Sequence, residues 1–524
     1  VAVEHLEIER KFDVGAGFAL PDLTGLPGVA SVGAPVEHEL EAAYYDTADL
    51  RLARARVTLR RRTGGTDAGW HVKLPAVAGG RRELHSPVGR AARTPPKAVL
   101  APVLGIVRTA PATQVALLRT RRVVTELLGE DGRVLAEVAD DHVSGTAFPA
   151  GPGEAAVVTA WREVEVELVD GDEDLLAAVA DALVAAGAAP ATSPAKLSRV
   201  LADRLAALAG PAPAAPVKAK GKGGKKKHGK KAAGPRPVAA DVVRTVLREQ
   251  LQGLQDADLM VRTGQPDGVH QVRVACRRLR SVLAVFRPVL DPERTEPLRA
   301  ALQEVGRTLS GTRDSEVTLA HLREVVAAQP VELVLGPVAA RLQQTEIRDT
   351  AAGEKAALRS LGDPQYLRLL DELDALAADP PFTEWADEPA DEVARAVLRG
   401  AVKRLTKRVD AAVDADDDQA LHDVRKAAKR LRYTAEAVAP VLGAPVRTLV
   451  KELKGVQEVL GDRQDTFITR QLCHDLGLQA FAAGENAWTW GRLHALEEAR
   501  AADAERAFWQ RWPQLRPVLA GAVR

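Results

Sequence analysis

The chain has 524 residues and a mass of 55.9 kDa, of which 46% are hydrophobic and 27% charged, the composition of a soluble chain long enough for two or three separate cores. Its 72 Lys+Arg against 71 Asp+Glu give a net charge of +1, which excludes a uniformly basic nucleic-acid coat, and its two cysteines, Cys276 and Cys473, exclude a disulfide framework. No charged-then-apolar leader opens the chain and no run approaches the ~18 apolar residues of a membrane helix, so neither a signal peptide nor a span is expected and a cytoplasmic location is. The charge is uneven. Residues 1–205 carry 23 bases and 28 acids, residues 206–237 carry 9 and none, and residues 238–524 carry 40 and 43, so the near-zero total sums segments of −5, +9 and −3.

Residues 1–205 show short period-two runs broken by Gly and Pro: Glu4–Phe12, Arg56–Arg62, Trp70–Leu74, Val134–Ala139 and Trp161–Val169. Such alternation predicts half-buried strands. Glu7, Glu9 and Lys11 share one face opposite Leu6, Ile8 and Phe12; Glu163, Glu165 and Glu167 share another opposite Val164, Val166 and Leu168. Like charges two residues apart repel unless metal ions or facing cations stand between them. Cations are available on Arg60 and Arg62, on His71 and Lys73, and at Arg81, Arg82, Arg119, Arg121 and Arg122. These faces are either solvated outer surfaces or, if the sheet closes, the wall of a tunnel. In a tunnel, carboxylates suit Mg²⁺ or Mn²⁺ and arginine forks suit phosphate oxygens.

The run Glu7-Ile-Glu-Arg-Lys11 resembles the ExExK signature of the CYTH, or triphosphate tunnel metalloenzyme, superfamily. The resemblance continues in order through Tyr44-Tyr-Asp-Thr47, Leu59-Arg-Arg-Arg62, Trp70-His-Val-Lys73, Arg81-Arg-Glu83, Arg119-Thr-Arg-Arg122, Glu163-Val-Glu-Val-Glu167 and Ser193-Pro-Ala-Lys-Leu-Ser-Arg199. It implies an α+β unit built on an eight-stranded antiparallel β tunnel that binds a triphosphate and a divalent metal. It further implies Glu7, Glu9, Asp140, Glu163, Glu165 and Glu167 as metal ligands, with Glu137 a further candidate. Lys11, Arg60, Arg62, Lys73, Arg82, Arg119, Arg121, Lys196 and Arg199 would hold phosphates, and Tyr44 with Lys73 resembles a pair proposed to protonate the leaving group, giving Lys73, Tyr44 and Lys11 as the catalytic candidates. Inorganic triphosphate is favoured over thiamine triphosphate, because the position of the thiamine-stacking aromatic falls at Thr58. No base-recognition signature of the class IV adenylyl cyclases in the family is present.

Residues 206–237 are rich in Pro, Gly, Ala and Lys, with no aromatic residue. Nothing there offsets the entropy of ordering, so a flexible linker is expected, either a plain tether or a polycation that holds a polyanion loosely.

Residues 238–520 switch to a 3.6-residue period rich in Ala, Leu and Arg, which predicts an all-α bundle. His270-Gln-Val-Arg-Val-Ala-Cys-Arg-Arg-Leu-Arg280 recurs as His422-Asp-Val-Arg-Lys-Ala-Ala-Lys-Arg-Leu-Arg432. Leu302-Gln-Glu-Val305…Leu309…Asp314 recurs as Leu453-Lys-Gly-Val456…Leu460…Asp465. A duplicated unit with pseudo-twofold packing follows. Both His-led helices are amphipathic: His270, Arg273, Arg277 and Arg280, then His422, Arg425, Lys429 and Arg432, lie on one side with Lys426 and Arg430 flanking. A solvated face would mix signs; a face of one sign suits an anion. The paired helices resemble the CHAD domain, a helical module often fused to CYTH and known to bind inorganic polyphosphate, with Arg313 and Lys454 extending its basic surface.

The expected protein is a tunnel domain over 1–205, a linker over 206–237 and a polyphosphate-binding bundle over 238–520. Its expected activity is metal-dependent hydrolysis of triphosphate or short polyphosphate, with polyphosphate granules as a further location. The alternative from another class is a non-enzymatic polyphosphate receptor. Nucleic-acid binding lacks a groove-reading motif and base-stacking aromatics.

Overall fold

The computed structural model describes residues 3–65, 67–75, 81–87, 94–151, 153–193, 195–209, 236–309, 311–413 and 418–524. The chain forms two compact units that divide between residues 225 and 226. Residues 210–235, most of the expected linker, lie outside the described residues, whereas Ala202–Ala209 are helical.

Among the described residues, eleven antiparallel strands build the first unit: β1 (Val3–Glu7), β2 (Glu9–Val14), β3 (Ser31–Val32), β4 (Val36–Asp46), β5 (Thr58–Thr63), β6 (Gly69–Lys73), β7 (Arg81–Pro87), β8 (Thr113–Leu128), β9 (Val134–Ala147), β10 (Val157–Leu168) and β11 (Ala189–Pro190). They pair in the order β1-β7-β6-β5-β4-β8-β9-β10-β2-β11, with β3 on β8. The pairing path is open. Its ends nevertheless meet in sequence, because β1 pairs β7, β2 pairs β10, and Ile8 alone separates β1 from β2. The sheet therefore curls into a tunnel. Counting residues 3–14 as one strand and leaving out the two-residue β3 and β11 recovers the expected eight.

One sector of this tunnel inverts the usual inside-out pattern. Helix α1 (Glu173–Ala185) is capped by Asp172, which accepts the Leu175 N–H at 2.8 Å. Its Leu175, Leu176, Val179 and Leu183 pack on Phe12, Val164, Val166 and Leu168 from the outer face of β2 and β10. Each such side chain contributes about 1.5–3 kcal/mol by burial, and their placement turns Lys11, Glu165 and Glu167 inward. Helix α2 (Lys196–Val200) packs with Leu201 on Tyr44, Val115, Leu118 and Val143 and brings Lys196 into the tunnel. That approach requires Gly145, where a Cβ would lie 2.4 Å from Val200 Cγ2.

The second unit is helical: α3 (Ala239–Arg262), α4 (Gly268–Val285), α5 (Pro292–Thr308), α6 (Gly311–Ala327), α7 (Val338–Leu361), α8 (Pro364–Ala378), α9 (Ala390–Val413), α10 (Asp418–Leu442), α11 (Ala444–Ala482) and α12 (Trp488–Ala522). The His-led motifs fall on α4 and α10, which pack against one another. The duplication is unequal: α5 and α6 in the first copy correspond to the single 39-residue α11 in the second. Cys276 and Cys473 are free and buried, and burial pushes both thiols up to about 12, so they serve as small core residues. Among the described residues no helix is long and apolar enough to cross a membrane.

Candidate functional site

The tunnel encloses a cavity of about 690 Å³. Its lining follows strand parity: Glu9 and Lys11 from β2, Tyr44 from β4, Arg60 and Arg62 from β5, His71 and Lys73 from β6, Glu83 and His85 from β7. Arg122 and Glu126 on β8, Glu137 and Asp141 on β9, Glu165 and Glu167 on β10, Lys196 on α2, and Asp67 ahead of β6 complete the charged wall. Arg60 hydrogen-bonds Tyr44, its register partner, and its Nε is buried with no acceptor among the described residues.

At the α2 end, four carboxylates and three cations interlock. Lys196 Nζ lies 2.9 Å from Asp141, 2.7 Å from Glu163 and 2.6 Å from Glu165. Arg122 forks onto Asp141 at 2.8 and 2.6 Å and reaches Glu165 at 2.5 Å, while Lys11 pairs with Glu165 and, at 2.8 Å, with Glu9. Burial opposes the charges of Lys11, Arg122, Asp141, Glu165 and Lys196, and the partners win. Lys11, Lys196 and Arg122 hold the Glu165 carboxyl well below its usual range despite desolvation. Against the same desolvation, Glu165, Asp141 and Glu163 hold the Lys196 ammonium above the ordinary lysine range. Further along β10 the balance reverses. Burial, opposed by Lys73 and reinforced by Glu9, Glu137 and Glu165, pushes Glu167 up.

In the helical unit, the half-buried histidines and cations of the two motifs are repeat equivalents: His270, Arg273, Arg277 and Arg280 on α4, His422, Arg425, Lys429 and Arg432 on α10. The equivalent positions Arg277 and Lys429 approach each other. Burial, then Arg425 and Arg277, with Arg432 adding and Asp465 opposing, pushes Lys429 down to about 8. The guanidinium carbons of Arg277 and Arg432 lie 5.9 and 4.9 Å from the Tyr433 ring centre. The Nε atoms of Arg277, Arg280 and Arg432 are buried without an acceptor among the described residues. His422 Nδ1 lies 2.5 Å from Gln464 Oε1, which fixes its ring.

The CYTH domain family matches residues 5–193 and the CHAD domain family matches residues 245–474. Two relatives, "Uncharacterized protein MT2285" of Mycobacterium tuberculosis (strain CDC 1551 / Oshkosh) and "Uncharacterized protein Rv2226" of Mycobacterium tuberculosis (strain ATCC 25618 / H37Rv), are each 37% identical over 507 residues, covering 94% of this chain and 93% of theirs. The chain belongs to the CYTH–CHAD family. The "Crystal structure of the CHAD domain from the plant Ricinus communis" is also similar, at 25% identity and a TM-score of 0.41, over 56% of this chain and 94% of that one.

Register decides which sequence candidates enter the CYTH tunnel. Glu9, Lys11, Tyr44, Arg60, Arg62, Lys73, Glu137, Glu165, Glu167 and Lys196 line it. Glu163 is buried beside Lys196, with Trp161 Nε1 donating to it at 2.5 Å. Arg119 and Arg121 do not line it: on β8 Leu118, Thr120 and Arg122 point inward, so Arg119 and Arg121 lie outside and pair with Glu41 at 3.0 Å and Glu37 at 3.4 Å. By the same alternation Asp140 faces out, bound to Arg162 at 2.6 Å, and Asp141 takes the inward place. Arg82 sits on the outward parity of β7, next to inward Glu83. Arg199 points away to Asp13 at 2.5 Å and stacks 5.2 Å over Trp161. The side chains of Glu7 and Arg313 lie outside the described residues.

On the CHAD helices Lys426 and Arg430 are exposed, Lys426 pairing with Asp423 at 3.4 Å. Lys454 is exposed and 4.0 Å from Glu458 on its own helix. Sequence reasoning missed Asp141 and Glu83 as wall residues and offered Arg122 and His71 only as available cations without a site role; a fixed inward parity on β8 and β9 would have singled out Arg122 and Asp141. Asp46 of Tyr44-Tyr-Asp-Thr47 is structural: its carboxylate accepts the N–H groups of Thr47 at 2.7 Å, Leu52 at 2.9 Å and Ala53 at 2.9 Å.

The donor set fits a hard dication. Carboxylate oxygens of Asp141, Glu163 and Glu165 lie within 4.8 Å of one another, although the Lys196 ammonium already stands among them. Glu9, Glu137 and Glu167 add three carboxylates to the same cavity, where the Glu167 carboxyl, raised by burial and then by the like charges of Glu9, Glu137 and Glu165, is one that a dication would relieve.

Proposed function

We propose that the chain is a divalent-metal-dependent triphosphatase, acting on inorganic triphosphate or short polyphosphate in the CYTH tunnel, with a polyphosphate-binding CHAD module on the same chain. The observation that carries this is the cavity's two-sided chemistry: Arg60, Arg62, Arg122, Lys73 and Lys11 on its walls together with Glu9, Glu137, Glu165 and Glu167. An anion with several phosphoryl groups would meet the guanidinium forks, including the acceptor-free Arg60 Nε. Mg²⁺ or Mn²⁺, held by Glu9, Glu137 and Glu167 with Glu165 beside them, would neutralise phosphate charge and lower the pKa of a bound water. Arg60, Arg62 and Arg122 would stabilise charge spreading over the transferred phosphoryl group. Lys73 on β6 and Tyr44 on β4, the two strands that flank β5, would serve as donors for the leaving oxygen.

The CHAD helices would concentrate polyanion on the protein and so raise its effective concentration at the tunnel, with cytoplasmic polyphosphate granules as the source. One observation favours a receptor without turnover: Lys196, Lys11 and Arg122 already neutralise Asp141, Glu163 and Glu165. The test is phosphate release from triphosphate and from longer chains with Mg²⁺ or Mn²⁺, comparing wild type with Glu9→Gln and Glu167→Gln. Release that falls steeply in both variants supports the enzyme. Tight binding with no release supports the receptor.

A further inference from the structure

His71 on β6 is 2% exposed and lies between two acceptors. Its Nε2 is 2.9 Å from the Asp67 carbonyl oxygen, which can only accept, so Nε2 carries a hydrogen. Its Nδ1 is 2.7 Å from Glu83 Oε1. A neutral ring protonated at Nε2 would present a bare lone pair to a carboxylate oxygen at that distance. A proton must therefore lie between Nδ1 and Oε1. The other groups around the pair decide where it resides: Arg60 from β5 is 3.4 Å from Oε1, Lys73 from β6 is 3.2 Å from Oε2, and the Asp67 carboxylate is 3.9 Å from Nε2. The His85 ring from β7 packs on His71 with centres 4.7 Å apart. Two cations on Glu83 favour its ionised form, which leaves the proton on Nδ1 and makes the ring an imidazolium.

We propose that His71 is a positioning residue of the tunnel, an imidazolium paired with Glu83 that fixes Arg60 and Lys73 and balances the charge of the carboxylate that aligns them. The inference rests on the phosphate-binding reading of the cavity. Glu83 is a carboxylate on a wall that would grip phosphate, and alone it would repel the substrate. With His71 charged, it orients Arg60 and Lys73 while the wall stays cationic. Asp67, anchored to His71 through its carbonyl, holds Arg62 at 2.7 Å by its carboxylate. Three phosphate-facing cations thus depend on one ring.

The experiment uses the full chain labelled with ¹⁵N-histidine, free of metal and substrate, at about pH 8, where an ordinary imidazole is neutral. A ring protonated on both nitrogens is expected, assigned by its loss in His71→Gln and its conversion to a singly protonated ring in Glu83→Gln. Gln at 71 keeps a donor for the Asp67 carbonyl, and thermal unfolding checks that each variant is folded. Equilibrium binding of triphosphate should weaken about tenfold in His71→Gln, as expected for mispositioned charged donors. A singly protonated His71 in the wild type overturns the proposal, and so does a doubly protonated ring with unchanged binding in both variants. If the wild type binds no triphosphate, the phosphate reading falls and the positioning role with it, while the ring's protonation is still read independently.

Discussion

Raising the pH should weaken polyphosphate binding by the CHAD helices through one residue, Lys429. In the free protein its ammonium is held down to about 8 by burial and by Arg425, Arg277 and Arg432. A phosphate chain on these helices supplies the missing counter-charge and returns Lys429 towards the ordinary lysine value of about 10.4. The full difference corresponds to about 3 kcal/mol of differential interaction. Because Lys429 is half-buried and partly screened, about 1–2 kcal/mol is realistic, or a roughly five- to thirtyfold loss of affinity. The sign is fixed by the direction of the shift. Binding is strongest below about 8, where Lys429 is charged without ligand, and weakens as the pH rises through that value, because binding must then take up a proton. The fold responds oppositely: the cost of the buried charge is fully present below about 8 and is relieved as pH rises towards the unfolded lysine value. Calorimetry of long-chain polyphosphate binding, in two buffers of different ionisation enthalpy, measures the uptake directly. At about pH 9 it should reach roughly a quarter to two-thirds of a proton, and at about pH 6.5 it should vanish. Lys429→Arg should bind at both pH values with no uptake. Equal uptake by wild type and Lys429→Met at about pH 9 would refute the assignment.

Four further outcomes follow from the tunnel. Arg122→Ala should lower triphosphate turnover by about a hundredfold or more, whereas Arg119→Ala, which removes only an exposed pair with Glu41, should leave it within about twofold; equal effects would contradict the strand parity. Glu165→Gln leaves Lys11, Lys196 and Arg122 facing one anion fewer, and denaturant unfolding should show a loss of about 3–5 kcal/mol. The wild-type stability from Glu165 is present above the unfolded glutamate value and is lost as pH falls through its depressed folded value, so acid unfolding of the variant should lack that component. Gly145→Ala places a Cβ 2.4 Å from Val200 Cγ2 and should cost about 1–3 kcal/mol, read as a lowered Tm. Chelation should stop phosphate release, and Mg²⁺ or Mn²⁺ should restore it; release that persists in excess chelator would contradict the metal requirement.

Strand periodicity before residue 205 and helical periodicity after 238 are legible in the residues alone, because apolar spacing follows directly from which face is buried. In Glu163-Val-Glu-Val-Glu167 the alternation puts the acids on one face, and α1, by covering the apolar parity, turns that face inward. The duplicated helices were legible because seven identities recur at fixed spacing. Where adjacent residues carry the same chemistry, parity is silent. Arg121 and Arg122, or Asp140 and Asp141, offer the same charge to both faces, and only the ladders of β8 with β4 and β9 choose between them. Contacts between strands are decided the same way. The closeness of His71 to Glu83, 12 residues away, comes from the β6–β7 pairing, which sets Lys73 opposite Glu83 and His71 opposite His85. Likewise each basic helix announces its own charge, but the approach of Arg277 to Lys429, and the depressed lysine that results, exist only because α4 packs on α10. Periodicity records which way one element faces; the field at a site is the sum over the elements that tertiary structure brings around it.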